Sequence, residues 1–360
     1  IYYIKDSAFG KLLWRLFGKT GIVGFFIELH FQLGVKKLLK RLVGIRKDVC
    51  VHYVTPITPC GKIFPLTASV NISGPLNGNL HYPPGLRNRE TKQLAVKRNL
   101  YLFGARISSN LFSGMRRMDL LLVSGGARTI EALKAMGCDP RKVVETLDGG
   151  VDSRLAKTKR REHCGENLRF VFFGRLVALK GADLAVRSLC HTKSRIELDI
   201  IGSGPEEESL KKLTRELGLE KRVSFLPYMK EEALFDRLHL YRAFVFLSYQ
   251  EAFGLSVQES MIIGLPTIAL KWGGPEEILK DGGGILIEPR NAEYVINETA
   301  KAMDFLALNG EAAEELSQRG RVVAEEKHVF SRVIDEWICL YENKMVEKSE
   351  RERQNAAFLP

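Results

Sequence analysis

The feature that most constrains this chain lies in its second half, where short and nearly continuous apolar runs alternate with segments of helical periodicity. Residues 168 to 173 (LRFVFF), 196 to 201 (IELDII), 222 to 226, 244 to 247, 266 to 270 and 284 to 287 read as strands. Helices fall between them, among them 181 to 190 and 206 to 217, the second stopped by Gly218. Strands that are apolar at every position must be covered on both faces, and the alternation with helices makes that a parallel sheet with crossover connections. The first half carries the same alternation more faintly. Val49 to Thr55 reads as a strand closed by Pro56 and Pro59, then come a helix near 91 to 109, a strand at Asp119 to Ser124, a helix over Ala127 to Met136 and a strand at Lys142 to Thr146. Residues 71 to 89 (NISGPLNGNLHYPPGLRNR) are crowded with Gly, Pro and Asn and read as a long loop. The basic stretch from Asp152 to Glu166 reads as a linker. The expectation is α/β class, with two doubly wound domains over 1–165 and 166–345 and a polar tail over 346–360.

Length and composition agree with that reading. Three hundred and sixty residues suit about two domains, and 45% hydrophobic with 27% charged residues excludes fibrous and largely disordered classes. Lys or Arg interrupts every apolar run before it reaches the roughly 18 to 20 residues that span a bilayer. The six cysteines, Cys50, Cys60, Cys138, Cys164, Cys190 and Cys339, form no C-x-x-C pair and have no histidine at metal-ligand spacing, so they are expected to be core thiols in a reducing compartment. The first residue is Ile1 and no signal-peptide pattern follows, which suits a fragment or a processed form.

Charge divides the chain. Residues 1 to 165 hold 28 Lys and Arg against 11 Asp and Glu, a net +17, while the remainder is net −6. A basic half attracts anionic partners. Within it, Leu33 to Lys47 sets Leu38, Leu39, Leu42 and Ile45 at helical spacing beside Lys36, Lys37, Lys40 and Arg41. That is the pattern of a helix lying on a membrane surface and, more commonly, of an amphipathic helix packed on its own domain. Nucleic acid is disfavoured, since no binding motif or run of stacking aromatics accompanies the charge.

In open parallel sheets the residues just after each strand face the ligand. After strand 168 to 173 come Gly174, Arg175 and, at a helix start, Lys180, two cations suited to a diphosphate or simply to solvent. The turn Gly202-Ser203-Gly204-Pro205 lacks the third glycine of a dinucleotide fingerprint and precedes Glu206 to Glu208, which would repel a pyrophosphate. The most informative stretch is Ser248 to Gly264, SYQEAFGLSVQESMIIG. Glu251 follows a strand, Gly254 permits close backbone approach, and a helix from near Leu255 carries Glu259 in about its first turn. Two carboxylates eight residues apart can reach different hydroxyls of one ligand while the free amides between them face its phosphate. Glu259 favouring the helix dipole and Glu251 in solvent is the plainer alternative.

The ordered array FVFFGRLVALKG, IIGSGPEEESL, RVSFLPYM, EAFGLSVQESMIIGLPTIA, GGPEEIL and GGGILIEP resembles the donor domain of retaining glycosyltransferase family 4, the glycosyl transferases group 1 of GT-B fold, over about residues 168 to 290. DVCVHYVTP, the GPLNG loop and VVETLDGGVD are similar, more loosely, to the acceptor domain of bacterial members. The resemblance implies two Rossmann-like domains facing across a cleft. It implies that Gly174, Arg175 and Lys180 hold the diphosphate, that Tyr228 and Met229 lie at the base, and that Glu259 takes the ribose and Glu251 the transferred sugar. Phe253, Gly254 and Leu255 would offer backbone to the phosphate, and His52, at a strand end, would line the sugar site and donate a hydrogen bond; His81 lies in the loop. It further implies a nucleotide diphosphate sugar as donor substrate, no separate cofactor and no metal. A saccharide or lipid-linked acceptor and a role in cell-surface polysaccharide or glycolipid synthesis follow, in the cytoplasm with peripheral attachment to the inner membrane face as an open option. Only about fifty residues precede the His52 strand, fewer than family members have, so an N-terminally truncated and inactive chain with an intact donor site is one expectation. A sugar-nucleotide epimerase of the same architecture and a non-catalytic nucleotide-sugar or membrane-binding module remain as alternatives.

Overall fold

The computed structural model describes residues 21–44, 48–54, 63–66, 70–77, 81–92, 95–96, 99–100, 103, 114–124, 126–135, 137–157, 160, 162–251 and 253–357. The chain forms two compact units: Ile1–Gly78, Val96–Asp148 and Glu336–Pro360 make the first, Asn79–Ala95 and Gly149–Asp335 the second.

The second unit is built on a six-stranded sheet: β5 (Arg169–Phe173), β6 (Glu197–Ile201), β7 (Val223–Leu226), β8 (Ala243–Phe246), β9 (Thr267–Leu270) and β10 (Gly284–Ile287). All pairings are parallel and the order is β10-β9-β8-β5-β6-β7. The winding runs outward from β5 through β6 to β7, then returns to the other side of β5 for β8, β9 and β10. The crevice at the carboxyl ends of β5 and β8 is therefore the place where the crossover helices part to opposite faces. The strand runs expected from sequence agree with the observed ones to within a residue at each end. Phe170, Phe172, Val245 and Ile268 bury completely or nearly so in a core shared with Leu184, Leu210 and Met303.

The first unit holds a four-stranded parallel sheet in the order β1 (Cys50–Tyr53), β2 (Val70–Leu76), β3 (Leu120–Val123) and β4 (Val143–Glu145). Among the described residues this sheet follows chain order without a reversal, so the double winding expected for it is not seen there. Helix α1 (Gly21–Val43) sets Leu39 and Val43 against the core of Val51, Leu76, Leu121 and Val123, while α2 (Gly126–Ala135) contributes Leu133. Residues 336–357 of the last helix, Phe330–Ala357, also belong to this unit.

Three expectations are corrected. The stretch from residue 71 is not all loop, for β2 extends to Leu76 and is buried along its whole length. Asn, Ser, Gly and Pro disguise it; the ladder to β3 shifts register between Ser73 and Leu76, which admits Gly74 and Pro75. Gly74 is required at that point, because a Cβ there would lie 2.2 Å from the Leu122 carbonyl oxygen. The division of the chain departs from a single cut after residue 165. Tyr82 and Leu86 bury in the second unit's core, and Arg160 and His163 dock on it through the Arg160–Glu314 ion pair and a His163 contact to the Gly264 carbonyl. Nor are the cysteines uniformly core thiols: Cys138 is buried and Cys50 half-buried, but Cys164, Cys190 and Cys339 are exposed, and Cys60 lies outside the described residues. The tail over 346–360 continues as helix to Ala357. Of the helix expected near 91 to 109, Thr91 is not helical, residues 92, 95–96, 99–100 and 103 are helical, and the rest lies outside the described residues.

Candidate functional site

The loops leaving β5 and β8 meet at the winding reversal of the second unit. After β5, Gly174 and Arg175 are exposed, Ala178–Lys180 form one turn of 3-10 helix, and Gly181 opens helix α3 (Ala182–Ser188). Gly181 has φ +70°, and a Cβ on it would lie 2.3 Å from the Leu247 carbonyl oxygen. Any other residue would push this loop off the end of β8. Hydrogen bonds complete the join. The Tyr249 amide donates to the Leu179 carbonyl at 3.0 Å, the Ser248 hydroxyl to the same oxygen at 3.2 Å, and the Tyr249 hydroxyl to the Ala178 carbonyl at 2.5 Å.

This join brings together two residues 71 positions apart, and Lys180 Nζ forms an ion pair with Glu251. Both side chains are half-buried, at 23% and 18% exposure, and the ammonium also lies 5.2 Å from the centroid of the Phe246 ring. Each charge offsets the desolvation of the other at the mouth of the crevice. A diphosphate would compete for the lysine and a hydroxyl for the carboxylate.

Helix α6 (Leu255–Ile263) starts where the sequence predicts, with Gly254 as its cap at φ 113° and no side chain satisfying the first amides. The first bonds back to the Gly254 carbonyl come from Val257 and Gln258, at 2.8 and 3.4 Å, which leaves the amides of Leu255 and Ser256 ahead of the helical ladder. Glu259 is the fifth helical residue, so it lies in the second turn rather than the first. Burial pushes its carboxyl up to about 7, and the nearby Glu231, at the start of the helix Glu231–Leu238, adds to the effect. Phe253 is buried against the helix Gly274–Leu279, while Leu255 is exposed. Tyr228 and Met229 follow β7 at the edge of the same sheet, Tyr228 being 74% exposed.

The structure thus joins Lys180 to Glu251 and leaves Arg175 exposed in the same loop. His52 is in a different situation. It lies in β1 of the first unit, with Nε2 2.8 Å from the Gly74 carbonyl and Nδ1 2.7 Å from the Tyr341 hydroxyl. Burial lowers its pKa, which favours the neutral ring. A carbonyl only accepts, so Nε2–H donates to Gly74 and Nδ1 accepts from Tyr341. Trp337 packs edge-on at 5.4 Å and itself donates to the Thr146 hydroxyl. The hydrogen bond that His52 was expected to give a sugar is already given to Gly74, and the ring anchors the last helix to the sheet. His81 is half-buried just before the 84–89 turn.

Sequence reasoning missed Tyr249 and Glu231. Tyr249 adjoins the Glu251 motif and is almost fully buried, a signal that an aromatic two residues before a candidate carboxylate could have given. Glu231 lies 28 residues from Glu259, and only the fold brings it near. Among the described residues no group of three or more His, Cys, Asp or Glu side chains is placed to hold a metal ion.

Residues 153–323 match the family model of the glycosyl transferases group 1. Among curated relatives, an uncharacterized glycosyltransferase of Haemophilus influenzae is 29% identical over 48% of this chain and 48% of its own length. A D-inositol 3-phosphate glycosyltransferase of Streptomyces scabiei is 29% identical over 55% of this chain and 50% of its own. The alpha-D-kanosaminyltransferase of Streptomyces kanamyceticus is 24% identical over 90% and 84%. The chain spans about half the length of the first two. Solved structures with a similar fold include Staphylococcus aureus TarM bound to UDP, with TM-score 0.60 and 18% identity over 85% of this chain and 57% of that one. Anabaena HepE with UDP and glucose gives 0.56 and 18% over 68% of each. The fold is α/β with parallel sheets, and its structural neighbours are glycosyltransferases of GT-B fold.

Proposed function

We propose that the second unit binds a nucleoside diphosphate sugar and that the chain transfers the sugar, with retained configuration, to a saccharide or lipid-linked acceptor, in the manner of glycosyltransferase family 4. The Lys180–Glu251 pair at the winding reversal carries this reading. It sets a cation for phosphate and a carboxylate for sugar hydroxyls side by side, one turn of chain from the open amides of α6. Breaking the anomeric bond develops negative charge on the diphosphate, which Lys180, Arg175 and the Leu255 and Ser256 amides stabilise. Glu259 accepts from the ribose, Tyr228 and Met229 flank the base, and no enzymic nucleophile is assigned. Relatives that are glycosyltransferases by name, and structural neighbours solved with UDP, support the donor class.

The basic first unit fits an anionic or lipid-linked acceptor in cell-surface polysaccharide or glycolipid synthesis. Helix α1 adds a reason to place the chain peripherally at the inner, cytoplasmic face of a membrane. Leu39 and Val43 turn inward to their own core, but Phe31, Leu33 and Leu42 are exposed near Lys37, Lys40 and Arg41. No helix among the described residues is long and apolar enough to cross a bilayer.

The test is a thermal-shift panel of UDP- and GDP-sugars, followed by mass spectrometry of reactions with candidate saccharide and polyprenyl-linked acceptors. One donor should stabilise the chain and yield a glycosylated product. An isomerised sugar nucleotide without acceptor product, or no stabilisation by any donor, would overturn the reading.

A further inference from the structure

Residues 81–92 lie early in the sequence, yet they pack in the second unit, and their contacts converge on the loop that carries Lys180. Tyr82 is buried with its ring 5.0 Å from that of Tyr249. Leu86 is completely buried in the same core. Gly85 packs against the backbone of Pro289 and Arg290 so closely that a Cβ would lie 1.8 Å from the Arg290 carbonyl oxygen, which fixes the segment at its middle. From that anchored turn Arg89 reaches Asp183, in the first turn of α3, with an Nη2 to Oδ2 distance of 2.5 Å, and its guanidinium lies 5.5 Å from the Tyr249 ring centroid.

Asp183 and Tyr249 flank the Lys180 loop on its two sides. Asp183 is three residues after Lys180, and Tyr249 is the residue whose hydroxyl and amide bind the Ala178 and Leu179 carbonyls. One guanidinium therefore ties the start of α3 to the strand-end residue that holds the loop. A cavity of about 290 Å³ lined by Arg89, Val177, Ala178, Asp183 and Arg187 runs along the flank of the loop, so this side of it is held by the guanidinium bridge.

We propose that Arg89 is a positioning residue: by bridging Asp183 and Tyr249 it holds loop 177–180 in the geometry that pairs Lys180 with Glu251, so that a segment from the first half of the sequence sets the donor affinity of the second. This rests on the reading of Lys180 and Glu251 as donor-binding residues.

Two measurements separate this inference from that reading. Hydrogen exchange on the ligand-free chain reads the loop directly. Arg89→Ala should speed exchange at the amides of Lys180, Gly181 and Tyr249 about tenfold, while Arg187→Ala, which lines the same cavity without bridging it, should leave them unchanged. Calorimetric titration with UDP and with GDP, each alone, reads the consequence. Arg89→Ala should weaken the nucleotide that binds by roughly threefold to thirtyfold with the melting temperature nearly unchanged, and the charge exchange Arg89→Asp with Asp183→Arg should recover part of the loss. Unchanged exchange at those amides in Arg89→Ala overturns the positioning role whether or not a nucleotide binds. Lost affinity in both Arg89→Ala and the exchanged pair, with unchanged exchange, also overturns it, since the arginine would then be a direct ligand contact. Nucleotide binding that survives Lys180→Ala overturns the donor-site reading instead.

Discussion

The carboxyl edges of the two sheets carry polar residues in comparable places, and the structure treats them differently. At the edge of the six-stranded sheet, Lys180 and Glu251 satisfy each other in a half-buried pair, and Glu259 is held near its ionisation point. At the four-stranded sheet, His52 spends both ring nitrogens on Gly74 and Tyr341. The difference follows from topology. Where the winding reverses, neighbouring strands send their helices to opposite faces and leave polar groups facing a crevice; where strands follow in chain order, the next element covers the edge. A polar residue after a strand is thus a ligand candidate in the first setting and a structural one in the second.

The largest effect that could break this contrast is expected at Lys180. Replacing it and Arg175 together by Ala should abolish measurable nucleoside diphosphate binding in a folded chain, since each charged hydrogen bond contributes roughly 1.5 to 3 kcal/mol. Unchanged affinity by calorimetry would remove the crevice from consideration.

Glu259 comes next, with effects of opposite sign on binding and stability. Its pKa of about 7 lies above the usual glutamate value of 4.5, so the unfolded chain ionises this group first. Stability from this group is intact below pH 4.5 and falls as pH rises towards 7, by up to about 3 kcal/mol. Glu259→Gln should therefore raise the melting temperature at pH 8 and hardly alter it at pH 4. The same variant should bind nucleotide about tenfold to a hundredfold more weakly, because the amide is a poorer acceptor for the ribose hydroxyls. A variant that is destabilised at pH 8, or that binds normally, would assign Glu259 to structure alone.

Glu251 sharpens the picture within the crevice. Glu251→Ala should weaken the sugar nucleotide about tenfold while sparing or slightly improving the free nucleoside diphosphate, since Lys180 loses its competing partner. Equal losses for both ligands, measured by titration, would end the proposed division between sugar and phosphate. The smallest effect belongs to the first unit's helix α1. Its attachment to vesicles containing anionic lipid should decline between 0.05 and about 0.5 M salt as screening shortens the reach of exposed charge, and equal partition onto neutral vesicles would refute an electrostatic contact.

Much of the second unit was legible because its strands are apolar at every position and its helix stops are glycines; β5 to β10 and the start of α6 follow from that pattern. β2 was not, since Asn71, Ser73, Gly74 and Pro75 are turn residues by type and only the register shift makes them a strand. The site was legible as a set of residues and not as a set of contacts. Glu251 and Lys180 each stood out after a strand, but their pairing depends on β5 and β8 being neighbours, which the linear order of strands does not state. Arg89 was hidden for the same reason, 94 residues before its partner Asp183 and within what read as a long loop. The surroundings of His52 were not legible because strand-end position is shared by ligand-facing and structural histidines, and its partner Tyr341 lies 289 positions away.

The contrast between the two sheet edges is tested most directly by titrating one nucleoside diphosphate, UDP or GDP according to which stabilises the chain, into the wild type, Lys180→Ala and His52→Gln under identical conditions. The account predicts that Lys180→Ala loses roughly tenfold or more in affinity, and that His52→Gln melts earlier, by the equivalent of about 1 kcal/mol, yet binds as the wild type does. Normal binding by Lys180→Ala together with lost binding by a folded His52→Gln would contradict it.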